Sequence, residues 1–559
     1  MRPAVRAVTP LGYLLLAVIG QWPALTTLSR QTRCACRDAP QTDWFLGWTP
    51  HALAHGHAPW TSAALAAPDG VNLMWNTLLP LPGLLMTPIT LLAGPLASHT
   101  LLSVLAFAGS GTSMWWVAGR WAPWGPARLA AGLLYGFSPY LVAQGQDHLN
   151  LSLVALPPLL LACLDELLIR QRRRAVAGGL VLGLVALAQL LTTEEVLATC
   201  LLASTLGLLV LVGQHARGLD RARSRHALCG LSVAALILAL GAAWPLGVQF
   251  LGPLHLTGPV TDATGFDADL LGIITPGRHV LLGAHVDGWG GGPTENGSYL
   301  GIPLLVALAV LVGRCRRLAV VRFACAAGAG MWVLSLGRHL TVAGTRYGLP
   351  LPGDVLSHAP LLENLAAVRL SLYVVLFAAL LLAVGLDHSH ATGRLGRGSA
   401  LAALVIVASL LPNWPYASVD ARVPTYFTTS AVRRIPAGAL ALTYPVPRFP
   451  DSAPMQWQAL AGYRYRSVGG YLITSDGRGH GTFRGGVTAW ERAVAPAAAG
   501  RGAPSMAGVD RLLLAEMRRL QVRAVLVADR PGAADVNRLV ERVLGRRGEH
   551  LGGVTAWYL

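Results

Sequence analysis

The chain has 559 residues, 53% of them apolar and only 13% charged, with a mean hydropathy of +0.50. A soluble domain carries about 25% charged residues, so this sequence cannot cover a water-facing surface; an ordinary soluble enzyme, a coiled coil and a disordered chain are excluded. The net charge of +17 comes from 44 basic and 27 acidic residues, and the basic residues, all Arg, flank apolar runs, which points to a bilayer rather than to nucleic acid.

A membrane-crossing helix needs about 20 mostly apolar residues, with about 17 as the lower end. In chain order the runs are 11–28, 100–117, 127–143, 151–168, 175–191, 196–212, 227–251, 299–312, 319–336, 366–386 and 399–411. They predict a polytopic α-helical membrane protein with about eleven transmembrane helices. The first run has no A-x-A site after it and reads as a retained span, not a cleaved signal. The run 78–97 is long enough, but it holds Pro80, Pro82, Pro88 and Pro95, and counting it would place the cluster at Arg170, Arg172, Arg173 and Arg174 outside.

Without it the Arg residues sort by side. Arg2, Arg6, Arg120, Arg128, Arg170 to Arg174, Arg217 to Arg225, Arg314 to Arg322, Arg394 and Arg397 fall inside. Only Arg30, Arg33, Arg37, Arg278, Arg338, Arg346 and Arg369 fall outside among the spans and their loops. The positive-inside rule then predicts a cytoplasmic N-terminus and an external C-terminus in a bacterial plasma membrane, with 78–97 lying on or dipping into the outer leaflet. The external segments are a long loop at 30–99, short turns at 145–150 and 192–195, and loops at 252–298 and 338–365. Cys34 and Cys36 lie in the first loop, too close in sequence for an unstrained disulfide, and read as ordinary thiols.

From about Asn413 the apolar runs shorten. Residues 439–446 and 522–528 read as buried strands bounded by Pro, Gly and Asp; 510–520, with Asp510 as N-cap, and 533–544 read as helices. The expected organisation is a transmembrane domain at 1–412, including the external loop 30–99, and an extracytoplasmic α/β domain at 413–559.

Ionisable groups at membrane depth are costly and mark candidate function. The external face carries Asp38 and Asp43 in the first loop, Asp147 and His148 in the second turn, Glu194 and Glu195 between two apolar helices, Asp287 and Glu295 in the 252–298 loop, and Arg369 at the start of the tenth span. Each also has a bland reading: solvated loop acids, carboxylates that end helices, an Arg that snorkels to headgroups. The Gly288 to Gly292 run lacks a following Lys-Ser/Thr and is not a nucleotide loop.

The order of these groups carries more than any one of them. Thr42-Asp43-Trp44-Phe45-Leu46-Gly47-Trp48, Pro68-Asp69-Gly70-Val71-Asn72, Tyr135-Gly136-Phe137-Ser138-Pro139-Tyr140, His148-Leu149-Asn150, and Glu295 followed by Tyr299-Leu300-Gly301 together resemble the GT-C glycosyltransferases, and within them a bacterial subgroup close to YfhO-like membrane proteins. The resemblance spans most of the chain through diffuse motifs.

It implies an inverting transfer of a sugar from a polyprenyl-phosphate donor to a glycan, lipid or protein acceptor of the cell envelope, on the outer face of the membrane. Asp43, desolvated by Trp44 and Trp48, would be the general base. Asp147 and His148 would bind the acceptor or orient Asp43, with Glu194, Glu195, Asp287 and Glu295 around the substrate. Arg369 would hold the donor phosphate. Here His follows Asp147 where the family has a second acid. The use of a divalent cation stays open, since Asp43 with Asp147 is too small a ligand set to specify one. Two other readings are a transporter or flippase of a lipid-linked saccharide, which usually shows repeats and mid-membrane charges, and a non-catalytic envelope-assembly protein.

Overall fold

In the computed structural model the described residues are 3–28, 31–32, 38–215, 220–258, 260, 265–283, 286, 288–292, 294–358, 362–449, 451–476, 478–483, 487–502 and 507–559. Cys34, Cys36 and Asp287 lie outside them. The chain forms two compact units. The first is Met1–Thr26, Thr100–Ala243 and Asp262–Ala417; the second is Thr27–His99, Trp244–Thr261 and Ser418–Leu559. The loop assigned by sequence to the membrane part therefore groups with the C-terminal segment.

Among the described residues six helices are long and apolar enough to cross a membrane: Val8–Leu25, Pro95–Ala118, Ala175–Thr192, Glu194–Gln214, Arg221–Leu251 and Ala367–Ala391. Three expected spans are shorter apolar helices, Ile302–Cys315, Ala319–Ser335 and Arg397–Leu410. The remaining two are broken. The run 127–143 is divided between Gly125–Gly136, of 12 residues, and Pro139–Asp147, of 9. Ser138 precedes a proline, which disfavours helical dihedrals; it is extended instead and accepts a hydrogen bond from the Leu141 amide as N-cap. The run 151–168 likewise restarts at Leu156, with Pro157 and Pro158 in its first turn, where their missing N–H groups cost nothing. The proline-rich stretch 78–97 yields the two short helices Pro80–Leu85 and Thr87–Ala93 before Pro95 opens the next helix; neither is long enough to cross a membrane.

In the first unit the helix Ser371–Ala391 is apolar all round and buried along most of its length. It packs against Gly125–Gly136, Ile302–Cys315 and Ala319–Ser335. Helices Pro95–Ala118 and Gly125–Gly136 touch backbone to backbone: a Cβ on Gly136 would come within 2.5 Å of the Gly111 nitrogen. Small residues at such crossings permit close helix packing in a membrane.

The second unit is built on a five-stranded sheet in the order Glu549–Leu551, Val554–Tyr558, Val522–Ala528, Ala439–Tyr444, Tyr465–Ser467. The last three strands run parallel; the first two are antiparallel additions. Helices Ala489–Ala498, Ala507–Arg519 and Ala533–Leu544 cover one face through Trp490, Leu513, Val536 and Leu539. The first-loop segment is tied to the sheet edge, where the Ser467 amide donates to the Ala64 carbonyl at 2.8 Å and the Ala67 amide to the Ser467 carbonyl at 3.0 Å. The short segment from Trp244 joins through Asn72, whose Nδ2 donates to the Val248 carbonyl at 2.8 Å.

Candidate active site

The second unit carries the first two acids. Asp38 opens the helix Asp38–Ala54, where a carboxylate complements the helix dipole, and it is half-buried. Asp43 lies more than a turn further on and is only 1% exposed. Its Oδ1 lies 2.8 Å from His99 Nδ1 and its Oδ2 accepts from Gln456 Nε2 at 2.6 Å. Trp44 and Trp48, expected to desolvate Asp43, stack on each other at 5.1 Å and meet Tyr463 edge-on. Trp44 Nε1 donates to Gln458 Oε1 at 2.7 Å. This helix is thus anchored by side chains of the helix Ala453–Leu460, with Asp43 as one of the anchors.

His51, one helical turn beyond Trp48, packs on Tyr463 and on His55. Burial pushes its pKa down, and the nearby His55 and His57 push it further, to about 4.

The first unit carries a buried ion cluster. Thr193 is extended and separates the helices Ala175–Thr192 and Glu194–His215, which sets Glu195 in the first turn of the second. Arg369, just ahead of the helix Ser371–Ala391, reaches Glu195 through Nη1 at 2.7 Å and Glu295 through Nη2 at 2.5 Å. Glu295, 4% exposed, also accepts from Gln144 Nε2 at 2.8 Å. Burial alone would raise its pKa; Arg369, then His148, then the hydrogen bonds from Arg369 and Gln144 outweigh that and hold it well below the usual carboxylate range.

Gln144 in turn fixes His148. Its amide nitrogen faces Glu295, so its oxygen faces His148 Nδ1, 2.7 Å away. That oxygen only accepts, so Nδ1 carries the proton and proton exchange falls to Nε2. The His148 ring also lies 3.7 Å from Glu295 Oε1. Asp147 ends the helix Pro139–Asp147 and is half-buried. With His148 it offers a carboxylate and an imidazole nitrogen, ligand types that divalent cations accept, although two ligands do not specify an ion. Glu194 is half-buried in the same first turn as Glu195.

The structure thus brings Glu195, Glu295, Arg369 and His148 together, while Asp43 has partners of its own in the other unit. The sequence reading missed Gln144, His99 and Gln456. Gln144 had a signal, a polar amide inside an apolar run; Gln456 had none.

No family model matches the chain, and no curated protein matches it by sequence. Solved structures do match. The arabinofuranosyltransferase AftD from Mycobacteria aligns with TM-score 0.54 and 15% identity over 95% of this chain and 35% of that one. The Archaeoglobus fulgidus oligosaccharyltransferase in its apo form aligns with TM-score 0.56 and 12% identity over 94% of this chain and 70% of that one. The same oligosaccharyltransferase tethered to an acceptor peptide containing the NVT sequon gives TM-score 0.53. This chain spans about a third of the length of AftD, and at these identities the likeness is one of fold.

Proposed function

Because the chain has the fold of the GT-C membrane glycosyltransferases, we propose that it transfers a sugar from a polyprenyl-phosphate donor to a cell-envelope acceptor on the outer face of the membrane. In one displacement the acceptor oxygen bonds to the anomeric carbon as the bond from that carbon to the phosphate oxygen breaks. The electron pair leaves with polyprenyl phosphate, which departs as a stable anion without acid help. The acceptor proton goes to a carboxylate base, and the anomeric centre inverts.

The observation that carries the assignment is the contrast in burial along one helix. Sequence reasoning placed the base at Asp43 and treated Asp38 as a bystander. Asp43 is sealed at 1% exposure, whereas Asp38 is half-buried at the helix start. A base must come within hydrogen-bond reach of the proton it takes, which favours Asp38 as base and Asp43 as the residue that fixes the helix. Arg369 remains the proposed donor-phosphate contact. Its two carboxylate partners leave the trio with one excess negative charge, so a phosphate there needs a further positive charge, which protonation of His148 at Nε2 supplies. Asp147 keeps the acceptor-binding role, and Glu194 and Asp287 the substrate-binding roles, expected of them.

The test is incubation of purified protein with a panel of polyprenyl-phosphate sugars. Release of polyprenyl phosphate that depends on Asp38 supports the reading. Absence of release from every donor, in protein that complements its deletion strain, sinks it.

A further inference from the structure

We propose that His51, His55 and His57 in the second unit form a binding site for a divalent cation of the zinc class, one that takes imidazole nitrogen in preference to carboxylate or carbonyl oxygen. The site goes beyond the transfer reaction proposed above and does not depend on it. Three of the chain's 16 His residues fall in the run His51-Ala52-Leu53-Ala54-His55-Gly56-His57, at the end of the helix Asp38–Ala54.

The backbone gathers the three rings. His51 and His55 are four residues apart and share one helix face; their ring centroids lie 4.3 Å apart. The helix then closes in a Schellman motif. The Gly56 amide donates to the Leu53 carbonyl at 3.1 Å and the His57 amide to the Ala52 carbonyl at 2.9 Å, with Gly56 at φ 74°, a left-handed conformation that favours glycine. This closure folds the residue after the glycine back beside the last full turn, where an apolar side chain usually packs. Here that residue is His57, and the turn it returns to begins at His51. His57 is exposed, so the closure serves no apolar contact. The charges of both other rings reach His51: after burial, they lower its pKa, which keeps that ring in the neutral form a metal takes.

The nitrogens are available. His55 Nδ1 lies 2.8 Å from the His51 carbonyl, which only accepts, so Nδ1 carries the proton and Nε2 presents its lone pair. A ligating His commonly gives its other N–H to a backbone carbonyl in this way. His51 is braced by Trp48 at 5.5 Å and Tyr463 at 4.5 Å. Among the described residues no hydrogen bond occupies the ring nitrogens of His51 or His57. Two imidazoles on one ion, through bonds of about 2.1 Å, set their centroids about 4.5–5 Å apart, close to the spacing of His51 and His55. His57 completes the set by turning about its own side-chain bonds, since the nitrogens of all three rings are not yet within 4.8 Å of one another. Space is open there, because a Cβ on Gly56 would meet no atom within 4 Å. Three imidazoles and a water suit Zn²⁺, whereas Mg²⁺ and Ca²⁺ take oxygen ligands. The helix C-terminus also favours a cation.

The test uses the full chain in detergent, purified without a polyhistidine tag, stripped of metal with a chelator and titrated with zinc chloride by calorimetry. We expect zinc binding that survives excess Mg²⁺. His55→Asn and His57→Asn should each weaken it by about tenfold or more, the loss seen when even a supporting group of a metal site is removed. Both side chains are exposed, so folding is spared. Cu²⁺ in place of zinc should show imidazole nitrogen couplings in its electron paramagnetic resonance spectrum, fewer in each variant. Unchanged zinc affinity in either variant overturns the inference, as does the absence of zinc binding. If zinc binding is lost in His148→Asn and kept in both of these variants, the cation belongs beside Asp147 and His148 and the inference falls. Donor turnover is not read, so the outcome is separate from that of the transfer reading.

Discussion

Arg369 and Glu295 are joined through two nitrogens of one guanidinium, Nη2 at 2.5 Å and Nε at 3.1 Å, while Nη1 turns to Glu195. Only a planar, forked cation holds two carboxylates in this way. A lysine in its place has one ammonium on a flexible stem.

Arg369→Lys should therefore lose most of the transfer activity, measured as polyprenyl phosphate released. Thermal melting of the purified variants should rank Arg369→Gln below Glu295→Gln. The first leaves two carboxylates without their cation, and removing one partner of a buried pair costs about 3–5 kcal/mol; the second leaves Arg369 paired with Glu195. Equal melting of the two variants, or full activity with Lys, would show that the cluster is not held by charge pairing at Arg369.

Asp38→Asn should lower turnover by about 10²- to 10⁴-fold, the usual contribution of a general base, with little change in melting. Asp43→Asn should behave in the opposite way. Its new amide either meets the Gln456 amide or forces His99 into the tautomer whose Nδ1 accepts, and it gives up the carboxylate's charge-assisted bonds, at a cost of about 1–3 kcal/mol for a buried mismatch. The folded fraction should keep near-normal turnover at a lower melting temperature. The reverse result returns the base to Asp43.

His51 gives a pH signature. Its folded pKa of about 4 lies below the ordinary 6.5, so the unfolded chain binds the proton more readily between those values. Stability from this group is present above pH 6.5 and is lost as pH falls toward 4. His51→Phe should flatten the rise in melting temperature across that window. An unchanged slope would mean that His51 does not titrate as its packing implies.

The Arg distribution predicts a membrane orientation. A periplasm-active reporter fused after Leu559 should be active, and one fused after Arg174 should be silent. The opposite pattern would overturn the external placement of every proposed site residue.

Hydropathy located the six long helices, since each is a local run that a bilayer reads locally. It failed at 127–143 and 151–168, where apolar content is high but Ser138-Pro139 and Pro157-Pro158 govern the backbone. Glu295 and Arg369 were legible as costly charges, yet their bond to each other was not, because 74 residues separate them. Asp43 was recognisable as an acid in an aromatic loop. Its burial was invisible, because Gln456, which helps to seal it, lies 413 residues away on a short helix without any pattern of its own.

The interleaved make-up of the second unit has a consequence for biosynthesis. The helix bearing Asp38 and Asp43 leaves the ribosome early, but Gln456, Gln458 and Tyr463, which clasp it, follow their partners on it by 413 to 419 residues. Until those residues are made, Trp44 and Phe45 have only the early part of their core, from Leu65, Val71, Leu73, Met74 and Leu78, to pack against. The second unit therefore completes only after the helices of the first have been synthesised, and a nascent chain stalled before residue 453 would hold that aromatic helix without its clasp.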